Sequence, residues 1–377
     1  MKVTFFINYL NHHQVLVADE MHRLLGDDFR FVATFPRNPC ELKGGIDYST
    51  RPYCLLAAEK HEHNELAHKL NLSSDVCVFG AGNLEWERER ASTNKLSFEI
   101  SERWFKRGWI NVFSPRLLKW WWLYQTKLHC KSFYKLCASG FTASDCNRLL
   151  TFRNRCYRWG YFTSVPDIKD EKYFEASEGV SKIKILWVAR FLSLKHPELP
   201  LLMAKRLKEK GKIFELDYYG SGPKEEKTRQ LAHDLGLDNV VTFHGAVPND
   251  KVYDAMLNAD VFLFTSDSNE GWGAVANESM ANACVLVASD AIGSTPYLIK
   301  DGCNGLVFRS KDVESLTEKV EWLLNNPAEI RRLKRNAYNT MKELWNPSNA
   351  AISLLRLLDD LQNGRELTIK EGPCSKA

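Results

Sequence analysis

Residues 260–289 read DVFLFTSDSNEGWGAVANESMANACVLVAS, and the pattern changes three times along this stretch. A β-rich apolar run ends at Thr265. A polar loop follows with Glu270 and two glycines, and a helix begins near Gly273 with Glu278 about one turn in. A second apolar run, 285–289, closes the unit. Strand, loop, helix and strand in this order make a crossover unit of a parallel α/β sheet, because parallel neighbours need a helix-length connection.

The alternation extends outward. Upstream come strands at 184–188, 214–219 and 240–243 with helices at 197–210, 224–235 and 251–258, and downstream a helical region runs over 313–361. This is a doubly wound domain, whose ligands are expected at the carboxyl ends of its strands. The first half shows a weaker version: a strand at 3–8, a loop at 9–14, a helix at 15–25, and further apolar runs at 29–34, 76–79, 96–100 and 134–139. Periodicity is lost in WGYFTSVPDIK, 159–169. The expected organisation is a first domain 1–165, a linker 166–182, a second domain 183–345, a helix 346–363 that could return to the first domain, and a frayed tail 364–377.

Length and composition agree with two soluble α/β domains. The chain has 377 residues with 44% hydrophobic and 26% charged content, and no apolar run approaches the roughly 20 residues of a membrane-spanning helix. MKVTFFIN at the start lacks a small-residue cleavage site and fits a buried strand better than a signal peptide. The ten cysteines form no Cys-x-x-Cys pair, and Cys77, Cys137 and Cys284 lie in apolar runs as reduced thiols do. A cytoplasmic location is expected. Residues 1–165 carry 23 Lys and Arg against 16 Asp and Glu, whereas the remainder carries 28 against 31, so the basic surplus belongs to the first half.

Chemistry concentrates around Glu270. Backbone N–H groups of Gly271, Trp272, Gly273, Ala274 and Val275 at a helix start would attract a phosphate, and two carboxylates beside them suit sugar hydroxyls. A sugar nucleotide offers both. Glu270, seven residues and Glu278 resemble the Glu-x7-Glu signature of retaining GT-B glycosyltransferases, and EGWGAVANESMANACVLVAS resembles glycosyltransferase family 4. The resemblance covers roughly residues 183–345. It implies that Glu270 contacts the donor sugar and Glu278 the ribose. It also implies that Arg190 and Lys195, in the loop after strand IKILWVA, grip the diphosphate in place of a metal ion. Physically, two fixed cations neutralise charge that grows on a departing diphosphate. Gly220-Ser221-Gly222-Pro223 resembles the family's Gly-x-Gly-Pro turn and lacks the third glycine of a dinucleotide fingerprint. His244, Gly245 and Val247 resemble the loop that frames the base, with His244 itself more readily structural.

The first half carries the expected acceptor side. GT-B architecture sets two Rossmann-like domains facing each other across a cleft, with the loop after the first strand near the diphosphate. Family members often have paired glycines there, and this chain has Asn11-His12-His13-Gln14. An imidazole at His13 could donate to phosphate or act on the acceptor hydroxyl. His12, Glu102 and Arg103 are the other acceptor-side candidates. Residues 103–144 hold eight Lys and Arg (103, 106, 107, 116, 119, 127, 131, 135) and no acid, with Trp104, Trp109 and Trp120 to Trp122 among them. On one helix starting at Ser114-Pro115, Arg116, Lys119, Lys127 and Lys131 fall on one side, as for an anionic membrane surface; a core helix with a solvated basic face reads the same way. No nucleic-acid motif accompanies the patch. His61, His63 and His68 lack the spacing and companions of a metal site.

The expectation is a retaining, metal-independent transfer of a hexose-type residue from a nucleotide diphosphate sugar, the sole co-substrate, to a carbohydrate or lipid-linked glycan. Capsule or lipopolysaccharide assembly on the inner face of the membrane would fit. A nucleotide-sugar epimerase on the same scaffold and a noncatalytic nucleotide-sugar-binding scaffold at a membrane remain the alternatives.

Overall fold

VTFFI at Val3–Ile7 forms β1 and is buried along its whole length, as a central parallel strand with helices over both faces must be. In the computed structural model the described residues are 1–36, 47–80, 82–106, 108–129, 131–175 and 182–377. They divide into two units, Met1–Thr163 with Pro347–Ala377, and Ser164–Asn346.

The first unit continues from β1 through α1 (Val15–Leu25), β2 (Phe29–Ala33), β3 (Cys54–Leu56), α2 (His61–Ser73), β4 (Val76–Gly80) and α3 (Leu84–Arg90). It goes on through β5 (Leu96–Ser101), α4 (Pro115–Leu123), β6 (Phe133–Cys137), α5 (Thr142–Arg148) and β7 (Cys156–Arg158). Its parallel sheet has the order β3-β2-β1-β4-β5-β6-β7, with Val3 opposite both Phe29 and Val76. Strand order reverses between β1 and β4, so a crevice opens at their carboxyl ends.

The second unit runs β8 (Ile183–Val188), α6 (Glu198–Glu209), β9 (Phe214–Tyr219), α7 (Glu225–Asp234), β10 (Val241–Gly245), α8 (Asn249–Leu257) and β11 (Val261–Phe264). It closes with α9 (Val275–Ala281), β12 (Val285–Ser289), α10 (Thr295–Leu298), β13 (Leu306–Phe308), α11 (Val313–Asn325) and α12 (Pro327–Asn339). The order β10-β9-β8-β11-β12-β13 places the reversal between β8 and β11. Its core joins Ile185, Trp187, Leu216, Leu263 and Val287 from the strands with Leu201, Leu207, Leu316 and Val320 from the helices.

The last helix, α13 (Pro347–Gln362), belongs to the first unit and packs on α1. Prolines start α12 and α13 at positions whose N–H has no helical partner, which divides the region 313–361 into three helices.

Three segments differ from their sequence expectation. The tail is not frayed: Cys374 and Ser375 are fully buried, and Tyr157 and Lys376 form an antiparallel bridge. Arg158 N–H donates to the Ser375 carbonyl at 2.8 Å and Cys374 N–H to the Arg158 carbonyl at 2.7 Å, so the tail covers the edge strand β7. Residues 166–175 of the expected linker pack on the second unit, with Tyr338 Oη donating to the Pro166 carbonyl at 2.9 Å and Phe174 edge-on to the Tyr338 ring. Residues 176–181 lie outside the described residues. The single basic helix expected from Ser114 through Lys131 ends earlier, because Tyr124–Leu128 widens into a π turn in which His129 N–H donates to the Tyr124 carbonyl. A wider turn breaks the 100° register, so Lys131 leaves the face set by Arg116 and Lys119.

Candidate active site

The reversal point of the second sheet collects the charged loop residues. Trp187 Nε1 donates to Thr265 Oγ1 at 3.0 Å, and the Thr265 hydroxyl donates to the Lys195 carbonyl at 2.6 Å. Asp267 N–H donates to the Leu194 carbonyl at 2.9 Å. These bonds tie the loop after β8 to the end of β11. Lys195 Nζ is thereby ion-paired with the Glu270 carboxylate, the two side chains being only 16% and 14% exposed. Arg190, also after β8, is exposed and makes no ion pair among the described residues.

Next to this pair lies a network that the sequence reading did not contain. His196, in the left-handed region at φ 48°, places Nδ1 2.9 Å from Glu198 Oε1 and Nε2 3.2 Å from Asp267 Oδ2. Lys311 Nζ reaches the same Asp267 oxygen at 3.0 Å. The Glu198 hydrogen bond, helped by Asp267, raises the His196 pKa above its ordinary value. Burial opposes the Asp267 charge, but hydrogen bonds from Asn269, Lys311 and His196 outweigh it and hold the carboxyl far below the usual range. Asp267 lies within the stretch that decided the fold, three residues before Glu270. Its ionic partners His196 and Lys311 are remote in sequence, so no spacing signals it.

The turn into α9 requires glycine at Gly273, where φ is +80° and a Cβ would lie 2.2 Å from the Phe264 ring. Ala276 N–H donates to the Gly273 carbonyl and Glu278 N–H to that of Ala274, so the N–H groups before them sit at the open start of a helix. Gly271, Gly273, Ala274 and Val275 belong to this turn. The Trp272 side chain does not face a ligand: it is 1% exposed, donates from Nε1 to Asn277 Oδ1 at 2.8 Å, and packs near Tyr297 and Trp345. Only its backbone is available for the expected role. Glu278 is half-buried, with Tyr253 Oη 3.4 Å from Oε1, and burial pushes its carboxyl above the usual value.

The neighbouring loops are stitched to the same edge. A Cβ on Gly220 would meet the Ala189 carbonyl oxygen at 2.0 Å. Gly220 N–H donates to the Gly245 carbonyl at 2.7 Å, and Phe191 N–H to that of Ser221 at 3.0 Å. His244 pairs with Asp217 at 2.8 Å and stacks on Tyr219, so its ring fastens β10 to β9. Val247 is half-buried just beyond.

In the first unit the carboxyl ends of β1, β4 and β5 line a cavity of about 570 Å³. His13, Glu102 and Arg103 all line it, together with Gln14 of the loop after β1, Lys106, Arg116 and Trp120 of the basic segment, and Glu99 and Tyr161, which the sequence reading did not single out. His13 stacks on Tyr161, and its ring lies 3.8 Å from that of His12; His12 itself is not among the lining residues. Glu102 accepts from Tyr161 Oη at 2.8 Å and pairs with Lys106. Arg103 is turned toward buried Asp145, at 3.5 Å, which also accepts from the Trp104 and Phe105 N–H groups. Its charge is therefore committed inside the unit. Gln14 Oε1 and Arg103 Nε are buried with no hydrogen-bond partner among the described residues, and such atoms are costly unless a ligand or water satisfies them. Lys135, counted with the basic patch, is fully buried and paired with Glu99. Arg107 and the side chain of Trp109 lie outside the described residues.

The histidines of α2 take separate partners: His63 Nδ1 accepts from Leu56 N–H, His68 meets Glu89, and His61 meets Glu65. Among the described residues, no helix is long and apolar enough to cross a membrane.

Residues 169–340, within the second unit, match the family described as "Glycosyl transferases group 1". The chain is 31% identical over 115 residues to D-inositol 3-phosphate glycosyltransferase of Streptomyces griseus, covering 30% of this chain and 24% of that protein. It is 28% identical over 143 residues to the putative colanic acid biosynthesis glycosyltransferase WcaL of Escherichia coli, covering 37% and 35%. These matches span well under two thirds of the curated relatives' length. Among solved structures, Anabaena HepE in complex with UDP superposes with a TM-score of 0.67 at 12% identity, over 94% of this chain and 99% of that one. Sucrose-phosphate synthase from Thermosynechococcus elongatus superposes at 0.63 and 16% identity, over 97% and 100%. The fold is therefore GT-B, built of two parallel-sheet α/β units, and the group 1 match falls within the second.

Proposed function

We propose that this protein is a retaining, metal-independent glycosyltransferase of family 4, moving a hexose-type residue from a nucleotide diphosphate sugar to a carbohydrate acceptor in cell-surface polysaccharide assembly. The observation that carries the reading is the Lys195–Glu270 pair, held by Thr265 at the reversal point of the second sheet beside exposed Arg190. An ammonium has three donors, so Lys195 can hold Glu270 and a diphosphate oxygen together. Arg190 adds a second cation, and the two stabilise the charge that develops as the glycosidic bond breaks. Glu270, oriented by Lys195, accepts from sugar hydroxyls. Glu278 takes the ribose, and the backbone of 271–275 receives phosphate. The Glu-x7-Glu spacing supports retention, and the likeness to WcaL supports a polysaccharide product. The first-unit cavity, with aromatic walls and buried polar atoms, suits the acceptor.

The test is turnover with a panel of nucleotide sugars, followed by release of nucleoside diphosphate in the presence of a chelator. Glu270→Ala and Lys195→Ala should each lower kcat at least tenfold, about 1.4 kcal/mol, with chelator leaving the native rate unchanged. Native rates in both variants would overturn the assignment.

A further inference from the structure

The segment that walls the first-unit cavity has a second, outward face. Inward, Trp104, Asn111, Ser114, Leu117 and Trp120 line the cavity. Outward, Ile110 is 76% exposed, Phe113 81%, Leu118 49% and Trp122 66%. Isolated exposed apolar residues are ordinary. Four on one short segment are not. Leu118 and Trp122 are one turn apart on α4, so they share a face. That helix, PRLLKWWWL, also buries Trp120 and Leu123 on the sheet side. A helix apolar on both sides calls for an apolar medium on both.

The surrounding charge selects the medium. Lys119 and Lys127 are exposed beside the apolar face, and residues 103–144 contain no acid. We propose that this face docks on an anionic lipid surface, with Ile110, Phe113, Leu118 and Trp122 entering the headgroup layer and the two lysines meeting lipid phosphates. Trp and Lys at such a boundary satisfy both an apolar body and a polar tip. A second copy of the chain is the poorer occupant, because it would set these cations against their own copies. On the reading of the preceding subsection, one segment then serves as cavity wall and lipid contact, so a glycan on a lipid anchor reaches the cavity without leaving the surface. That extension rests on glycosyl transfer; the docking itself does not.

The experiment is co-sedimentation of the full chain with vesicles of phosphatidylglycerol and phosphatidylcholine, and with phosphatidylcholine alone, at low and high salt. The native chain should bind the anionic vesicles and be weakened by salt. Phe113→Ser with Trp122→Ser, and separately Lys119→Glu with Lys127→Glu, should each lower partitioning at least tenfold, with an unchanged melting temperature and unchanged thermal shift by a nucleotide sugar. That last readout keeps failure of docking distinct from failure of the donor reading. Native chain remaining in the supernatant overturns the proposal, as does native-like binding by both variants. Self-association of the native chain that these substitutions dissolve, without vesicle binding, overturns it too.

Discussion

Lys135 is fully buried, with its ammonium 3.0 Å from Glu99 Oε2 and above the rings of Trp104, Trp120 and Phe152 at 5.2, 5.6 and 5.3 Å. Burial is the largest influence and opposes its charge, but Glu99 together with the nearby Cys146 and Cys137 sulfurs outweighs it, and the Lys135 pKa ends above its ordinary value. Glu87, close by, is also fully buried. Burial first and the Glu99 charge second push it well above the carboxylate range, which favours its protonated form. The two residues should therefore respond differently to neutralisation. Lys135→Met leaves Glu99 buried without its partner and should cost about 3–5 kcal/mol in urea unfolding, whereas Glu87→Gln keeps the shape of a carboxyl whose protonated form burial favours and should cost under about 1 kcal/mol. Equal losses would refute this assignment of charge. The same residues mark a limit of sequence reading. Lys135 sits in a run of cations and counts there as surface; only its place on β6 turns it inward. Glu270 and Lys195 were legible because each follows a strand end. Arg103, equally well placed in sequence, spends its charge on Asp145, 42 positions away.

At the scale of the element, the loop between β11 and α9 is held to the loop after β8 by His196, Glu198, Asp267 and Lys311. Two of these groups titrate in opposite senses. The His196 pKa is raised, so its contribution is complete below the ordinary 6.5 and is lost as pH climbs through the folded value. Asp267 is depressed, so its contribution is present above the ordinary 3.8 and is lost as pH falls toward the folded value. The loops should be firmest between those two pH values. Melting temperature recorded against pH should fall on both sides, and Asp267→Asn should flatten the acid limb and shorten the alkaline one. An unchanged profile in that variant would remove Asp267 from the network. The elements that support these loops were readable because long strands and helices declare their period: α1 begins at Val15 and β12 at Val285, as the pattern predicts. β3, β7 and β13 span three residues each. So short a strand has no period, and the neighbour it pairs with decides it. The π turn after α4 is hidden for a related reason, since the residues around it are ordinary helix formers.

At the scale of the molecule, the chain leaves the first unit after Thr163, builds the whole second unit, and returns as α13 and the tail. Composition signals the loss of periodicity near 159–169 but not which unit the following residues join, because Phe174 and Pro166 are fixed by Tyr338, which lies far along the chain. The return is equally opaque: α13 shows an apolar face, and only the fold shows that α1 receives it. Ala350, Leu354, Leu357 and Leu358 are fully buried on that helix, and the tail shields the edge of β7. Deleting Pro347–Ala377 therefore takes a core helix and an edge cover from the first unit while leaving every strand and helix of the second in place. Hydrogen exchange followed by peptide should show protection lost in α1 and β7 and kept in β8, β11 and β12, since each unit opens with its own local stability. Thermal stabilisation by a nucleotide sugar should survive the deletion, because the proposed donor contacts lie between Arg190 and Glu278. Loss of protection spread evenly over both units would instead mean that α13 supports the second sheet as much as the first.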